Sequence, residues 1–193
     1  MRSRVLALVT AVAFALFLAL GLEPAHADGG SPSPRDGVCL GNIHYTFSPP
    51  LQATPQPTTI TWSGTYSCTS PSTPTQNWDG RFGGSLKTTT GCLQTGTSQV
   101  LAQGVTEKDN WFTSGGDDRV GSSTLTGTVS TLPREDGSRV YEWTGTVTGG
   151  TWFVGHHFNG NGVYSSLANQ EVCLAGGKID HNDGKANITI LAL

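Results

Sequence analysis

Ile60, Trp62, Gly64, Tyr66 and Cys68 alternate with Thr59, Thr61, Ser63, Thr65 and Ser67. A strict two-residue period places every other side chain on one face of an extended strand, and nothing else explains the pattern as well. The same alternation recurs along the chain. Ile43, Tyr45 and Phe47 alternate with Asn42, His44, Thr46 and Ser48, and Pro49-Pro50 then stops the strand. Leu125 and Val129 alternate with threonines, as do Tyr141, Trp143 and Val147 with Glu142, Thr144 and Thr146, and Ile188 and Ile190 with Asn187 and Thr189.

Between these runs lie Asp79-Gly80, Gly83-Gly84, Gly115-Gly116-Asp117-Asp118, Asp136-Gly137, Gly149-Gly150, Asn159-Gly160-Asn161-Gly162 and Asp183-Gly184. Such pairs supply the positive φ angles of tight hairpins. Thr131 to Val140 reads as one hairpin about Asp136-Gly137. Downstream of the amino terminus no window carries a helical apolar period, and abundant Thr, Gly and Ser disfavours long helices. The expected fold is all-β and antiparallel: a two-sheet sandwich of about eight to ten strands, with a closed or partly closed β-barrel as the alternative.

A short motif of an apolar residue, Ser or Thr, Gly, Thr and a second apolar residue occurs at Trp62–Tyr66, Leu125–Val129 and Trp143–Val147. Each glycine falls on the apolar face, where it would make room for a neighbouring aromatic ring or allow a bend. Thr/Gly-rich composition is the competing explanation.

The amino terminus reads differently. Arg2 and Arg4 precede an apolar run from Val5 to Leu22, and Pro24 and Ala25-His26-Ala27 follow. This is the pattern of a secretory signal peptide over 1-27, cleaved before Asp28. The remaining 166 residues comprise a flexible Gly/Ser/Pro segment over 28-36 and a single domain over 37-193. Loss of Arg2, Arg4 and Glu23 takes the formal net charge from −3 to −4. No basic patch recommends a nucleic-acid partner, and no later run is long enough for an apolar membrane span.

Export decides how the cysteines are read. Cys39, Cys68, Cys92 and Cys173 all follow the signal, in no metal-ligand spacing, so two disulfides are expected. Of three possible pairings, Cys68–Cys92 and Cys39–Cys173 are favoured, one closing a local loop and the other tying the domain's ends. Each bridge is worth ~2–4 kcal/mol.

Cys39-Leu40-Gly41, Tyr45-Thr46-Phe47-Ser48-Pro49-Pro50-Leu51, Ser67-Cys68, Thr90-Gly91-Cys92 and Val172-Cys173-Leu174 resemble a group of small secreted proteins of actinomycetes. The resemblance spans most of the mature chain. It implies a secreted all-β fold and brings no catalytic residues with it.

Chemistry is harder to place. No Gly-x-Ser-x-Gly turn is present; Gly83-Gly84-Ser85 is the nearest approach to a nucleophile. His156-His157 would point to opposite faces of a strand, but across a turn they could act with a carboxylate or join Asp180 and His181. Asp180-His181-Asn182-Asp183-Gly184 and Gly115–Asp118 offer oxygen donors without a calcium-loop spacing. Asp79, Glu107, Asp109, Glu142 and Glu171 supply carboxylates, but spacing alone does not pair any two across a cleft. Trp62 and Trp143 belong to the core by their alternation. Trp78 and Trp111, in polar surroundings, are the candidate ligand-binding aromatics, with His156 beside them; burial as caps of the core is the alternative. Asn187-Ile188-Thr189 matches a glycosylation acceptor within a strand. The reading this supports is a non-catalytic domain that binds a ligand, an extracellular glycan or a protein, without metal or cofactor. A hydrolase using His156 or His157, and an inhibitor or structural envelope protein, are the alternatives.

Overall fold

The computed structural model describes residues 32–92, 98–134, 138–165 and 167–192. The signal peptide reading and the Asp136-Gly137 turn lie outside the described residues. Eight strands are described: β1 (Gly37–Leu51), β2 (Gln56–Thr69), β3 (Asn77–Thr90), β4 (Gln99–Thr113), β5 (Arg119–Pro133), β6 (Arg139–Gly150), β7 (His157–Ser165) and β8 (Ile179–Leu191). Each pairs antiparallel with the next, and β8 returns to pair with β1, closing the sheet into a barrel. The strands flanking Asp136-Gly137 do pair, Pro133 opposite Arg139.

The closed barrel replaces the expected sandwich. Alternation looks the same in both, because either architecture buries one face of each strand. What separates them is strand length and continuity. Strands of 12 to 15 residues, β1 to β6, are two to three times the usual length. A strand that long, coiled by its natural twist, serves one continuous wall and leaves no unpaired edge.

Glycine explains how the wall curves so tightly. Asp79-Gly80, Gly83-Gly84, Asn159–Gly162 and Asp183-Gly184 are not turns: they lie within β3, β7 and β8. Gly64 faces the interior opposite Phe82, and a Cβ there would stand 2.4 Å from the Phe82 ring. Gly127 likewise lies under Phe158. The expectation that glycines on the apolar face make room for aromatic rings therefore holds at Gly64 and Gly127.

One end of the barrel is filled by Trp78, Trp111, Trp152 and Phe153. Trp111 stacks on Trp152 with centroids 6.4 Å apart, and Trp78 meets Trp152 edge-on at 5.9 Å. Phe153, at φ 60°, turns inward from the β6–β7 connection, and its N–H bonds to Ser33 Oγ at 3.0 Å. Arg35 O receives His156, and Asp36 accepts from the Ser70 hydroxyl at 2.6 Å. Residues 33–36 are thus hydrogen-bonded to the barrel.

At the other end, between β7 and β8, lies a helix that periodicity did not reveal, α1 (Leu167–Leu174). Its eight residues contain no Gly or Pro, and two turns are too short to display an apolar stripe. The helix stops where Gly176 takes φ 79° and Gly177 N–H bonds back to Val172 O.

The disulfides are Cys39–Cys68 and Cys92–Cys173, not the favoured pairing. The barrel register explains this. Cys39 stands directly opposite Cys68 on paired strands, so the two thiols are neighbours before any loop is considered. Cys92 follows β3, whereas Cys173 lies between β7 and β8, about halfway round the ring. Strand spacing and tilt put opposite walls roughly 15 Å apart. The two Cα atoms are 6.2 Å apart, so these segments reach over the opening to meet.

Candidate functional site

Val105, Glu107, Asp109 and Trp111 face inward from β4, while Thr106 and Lys108 face solvent. The strand period that buries Val105 and Trp111 therefore buries two acids as well. Glu107 is 2% exposed and Asp109 1%.

Glu107 is held by a row across three strands. Trp62 on β2 stands opposite Gly84 on β3, which stands opposite Glu107 on β4. Because Gly84 has no side chain, the Trp62 indole lies across it. A Cβ at Gly84 would sit 2.5 Å from that ring. Trp62 Nε1 thereby reaches Glu107 Oε2 and donates a hydrogen bond to it. In the next row, Gly64, Phe82 and Asp109 stand opposite one another, on the side toward the aromatic end.

An internal cavity of about 50 Å³ opens at Glu107, enough for a few waters. Its walls are mainly apolar and aromatic, with Tyr45, Ile60, Trp62, Leu86, Tyr141 and Trp143 prominent. Asp109 lies one row behind the cavity wall. The Trp143 indole N–H has no hydrogen-bond partner among the described residues, and Glu107 Oε1 and both carboxyl oxygens of Asp109 take no bond from any other described donor, the two acids bonding to each other through the proton they share. Buried polar atoms are ordinarily paired, and each unpaired one costs about 1–3 kcal/mol.

The electrostatics follow from burial. Loss of water raises Glu107 from its ordinary 4.5 to about 7, while the Trp62 indole and a proton on Asp109 work in the opposite direction. Burial also raises Asp109 well above the usual carboxylate range, and the neighbouring Glu107 charge adds to it. The Tyr66 hydroxyl is pushed up by burial and then by both acids. Two same-face residues on one strand are roughly 6.6 Å apart along the backbone, so the acids titrate as a pair and share the burden of a single negative charge. Arg139, the buried cation among the described residues, acts on neither acid.

The residues singled out by sequence are placed otherwise. Trp78 and Trp111 do come together, and Phe153 joins both to His156, whose ring lies 5.7 Å from it. They converge as packing: Trp78 is 1% exposed and Trp111 is fully buried. They fill the barrel end and offer no exposed stacking surface. The polar neighbours that suggested a turn are the outward half of a strand alternation. Trp111 Nε1 donates to Ser123 Oγ at 2.8 Å, and that hydroxyl donates to Trp152 O at 2.9 Å.

The His156 ring bonds to the Arg35 carbonyl, and His157 to the Gly145 carbonyl at 3.4 Å. Among the described residues, neither ring has a carboxylate partner. On the outer wall, His44 meets Asp183 at 2.7 Å and His181 meets Asp180 at 2.6 Å, all four exposed. Among the described residues no group of three or more His, Cys, Asp or Glu is arranged to hold a metal ion. Glu107 and Asp109 were legible only as two acids in a longer set. The signal that separates them is their phase: both stand in register with Val105 and Trp111.

No family model matches the chain, and no curated protein matches it. Among solved structures, an enduracididine biosynthesis enzyme, MppR, complexed with pyruvate aligns over 91% of this chain and 95% of its own. The identity is 10% and the TM-score 0.22, too loose to transfer fold or chemistry.

Proposed function

We propose that this protein is a secreted, non-catalytic binding domain whose ligand is a small, largely apolar molecule held inside the barrel. The supporting observation is a polar pair at one apolar cavity: the Trp143 indole N–H, which has no hydrogen-bond partner among the described residues, and Glu107, whose carboxyl is bonded by the Trp62 indole and by Asp109. A ligand that pairs with both would give Trp143 the acceptor it lacks and Glu107 a further donor. The site thereby moves from Trp78, Trp111 and His156 to the interior around Glu107. Two disulfides suit an oxidising exterior.

The test is a fragment screen read by intrinsic tryptophan fluorescence, since Trp62 and Trp143 border the cavity. Fragments that bind should shift the emission and saturate. Ala186→Leu, which fills the cavity from β8, should weaken binding at least tenfold while near-ultraviolet dichroism confirms the fold. Undiminished binding to this variant would move the ligand elsewhere.

A second reading, acid–base chemistry on the bound molecule, is favoured by one observation. A carboxyl titrating at about 7 is suited to exchange protons at neutral pH. It would replace the hydrolase reading based on His156 and His157.

A further inference from the structure

We infer that the ligand is an organic cation, an amine whose ammonium group pairs with Glu107 while an acceptor atom on the same molecule takes the Trp143 N–H. This rests on the reading that the barrel interior is a binding site, and it names the chemistry of the occupant.

The barrel interior carries two acids, and among the described residues no cation acts on either. Burying such groups is costly, and a neutral apolar ligand would be served equally well by two leucines there. An anion would meet Glu107 directly and be repelled. A cation gains twice: from the charge and from the faces of the aromatic wall. Trp62, Tyr45, Tyr141 and Trp143 border the same space. Trp143 is 8% exposed, and its unpartnered donor at the cavity is an observation independent of the acids. It requires an oxygen or nitrogen acceptor on the ligand. Asp109 stands behind the wall and burial holds its own proton, so the proton that Glu107 gives up when the cation arrives passes to solvent. The other titratable groups near the pair are Tyr66, which both acids influence, and the cavity-lining Tyr45 and Tyr141.

Three molecules on one frame test this. 2-Methoxyethylamine carries the ammonium and an ether oxygen, 2-methoxyethanol is its neutral counterpart, and methoxyacetate is the anion. Titration calorimetry of the full mature protein should find the amine at least tenfold tighter than the alcohol, with methoxyacetate unbound. Measured in phosphate and in Tris, the amine's binding heat should differ by the uptake of released protons, and the alcohol's should not. Glu107→Gln, which keeps an oxygen for the Trp62 N–H, should bring amine and alcohol within about twofold of each other. The inference is overturned if the alcohol equals or exceeds the amine, or if Glu107→Gln preserves the preference. Alcohol-only binding defeats the cation and leaves the binding site standing. If none of the three molecules binds, both readings fall.

Discussion

The two halves of the barrel interior use the same side chains to opposite effect. At the aromatic end, Trp78, Trp111, Trp152 and Phe153 pack against one another, and a chain of bonds runs from Trp111 through Ser123 to the Trp152 carbonyl. In the middle, Trp62 and Trp143 meet at 6.5 Å beside a cavity, with the Trp143 N–H left without a hydrogen-bond partner among the described residues and the two buried acids bonded to Trp62 and each other. The first half is organised to hold the fold together. The second keeps polar capacity unused at a cost in stability, the pattern expected where a site is reserved for another molecule. Trp78 Nε1 also lacks a hydrogen-bond partner among the described residues.

This contrast can be broken by measurement. The largest effect belongs to the packed end. Trp111→Ala should cost about 3–5 kcal/mol in urea unfolding, through lost burial and an orphaned Ser123 bond. A cost below that of a surface substitution would dissolve the distinction.

Next is the pH dependence of the open half. Glu107 titrates at about 7 in the folded protein and near 4.5 unfolded. Between these values the folded state binds the proton that the unfolded state has released. Stability therefore falls as pH rises from about 4.5 to 7, by roughly 3 kcal/mol from Glu107 alone. Asp109 shifts in the same direction. Glu107→Gln combined with Asp109→Asn should flatten that slope, and an unchanged slope would assign it to other groups.

Gly84→Ala comes third. Its Cβ would meet the Trp62 ring at 2.5 Å and the Thr106 carbonyl at 2.8 Å, costing about 1–3 kcal/mol and displacing the indole from Glu107. The smallest effect is expected at Trp143→Phe, within about 1 kcal/mol, because lost ring area is offset by removal of an unpaired donor. If Trp143→Phe proved as damaging as Trp111→Ala, the two halves would not differ in kind.

The alternation of Thr59 to Cys68 shows in the sequence which faces are buried, and the glycines at 64 and 127 show where rings would lie. Closure does not show, because a residue's phase records that it is inside without recording what it faces. Local polarity misplaced Trp78 and Trp111, since one polar neighbour on each side is what any strand supplies. The same phase rule, applied from Val105 to Trp111, carries Glu107 and Asp109 inward; charge had concealed them among surface acids. The disulfides followed strand register, which no cysteine spacing contains, and α1 was too short for periodicity to reveal.

The cross-links divide the chain into two covalent loops in series, Cys39 to Cys68 and Cys92 to Cys173. A single proteolytic nick inside either loop leaves the pieces joined. Between them lies the stretch 69–91, which contains β3 and so Phe82 and Gly84 of the two rows that hold the acids. A cut there separates two fragments on a non-reducing gel. The strand behind the acid site is thus, like β8 beyond Cys173, a part of the wall whose integrity depends on hydrogen bonds and packing alone.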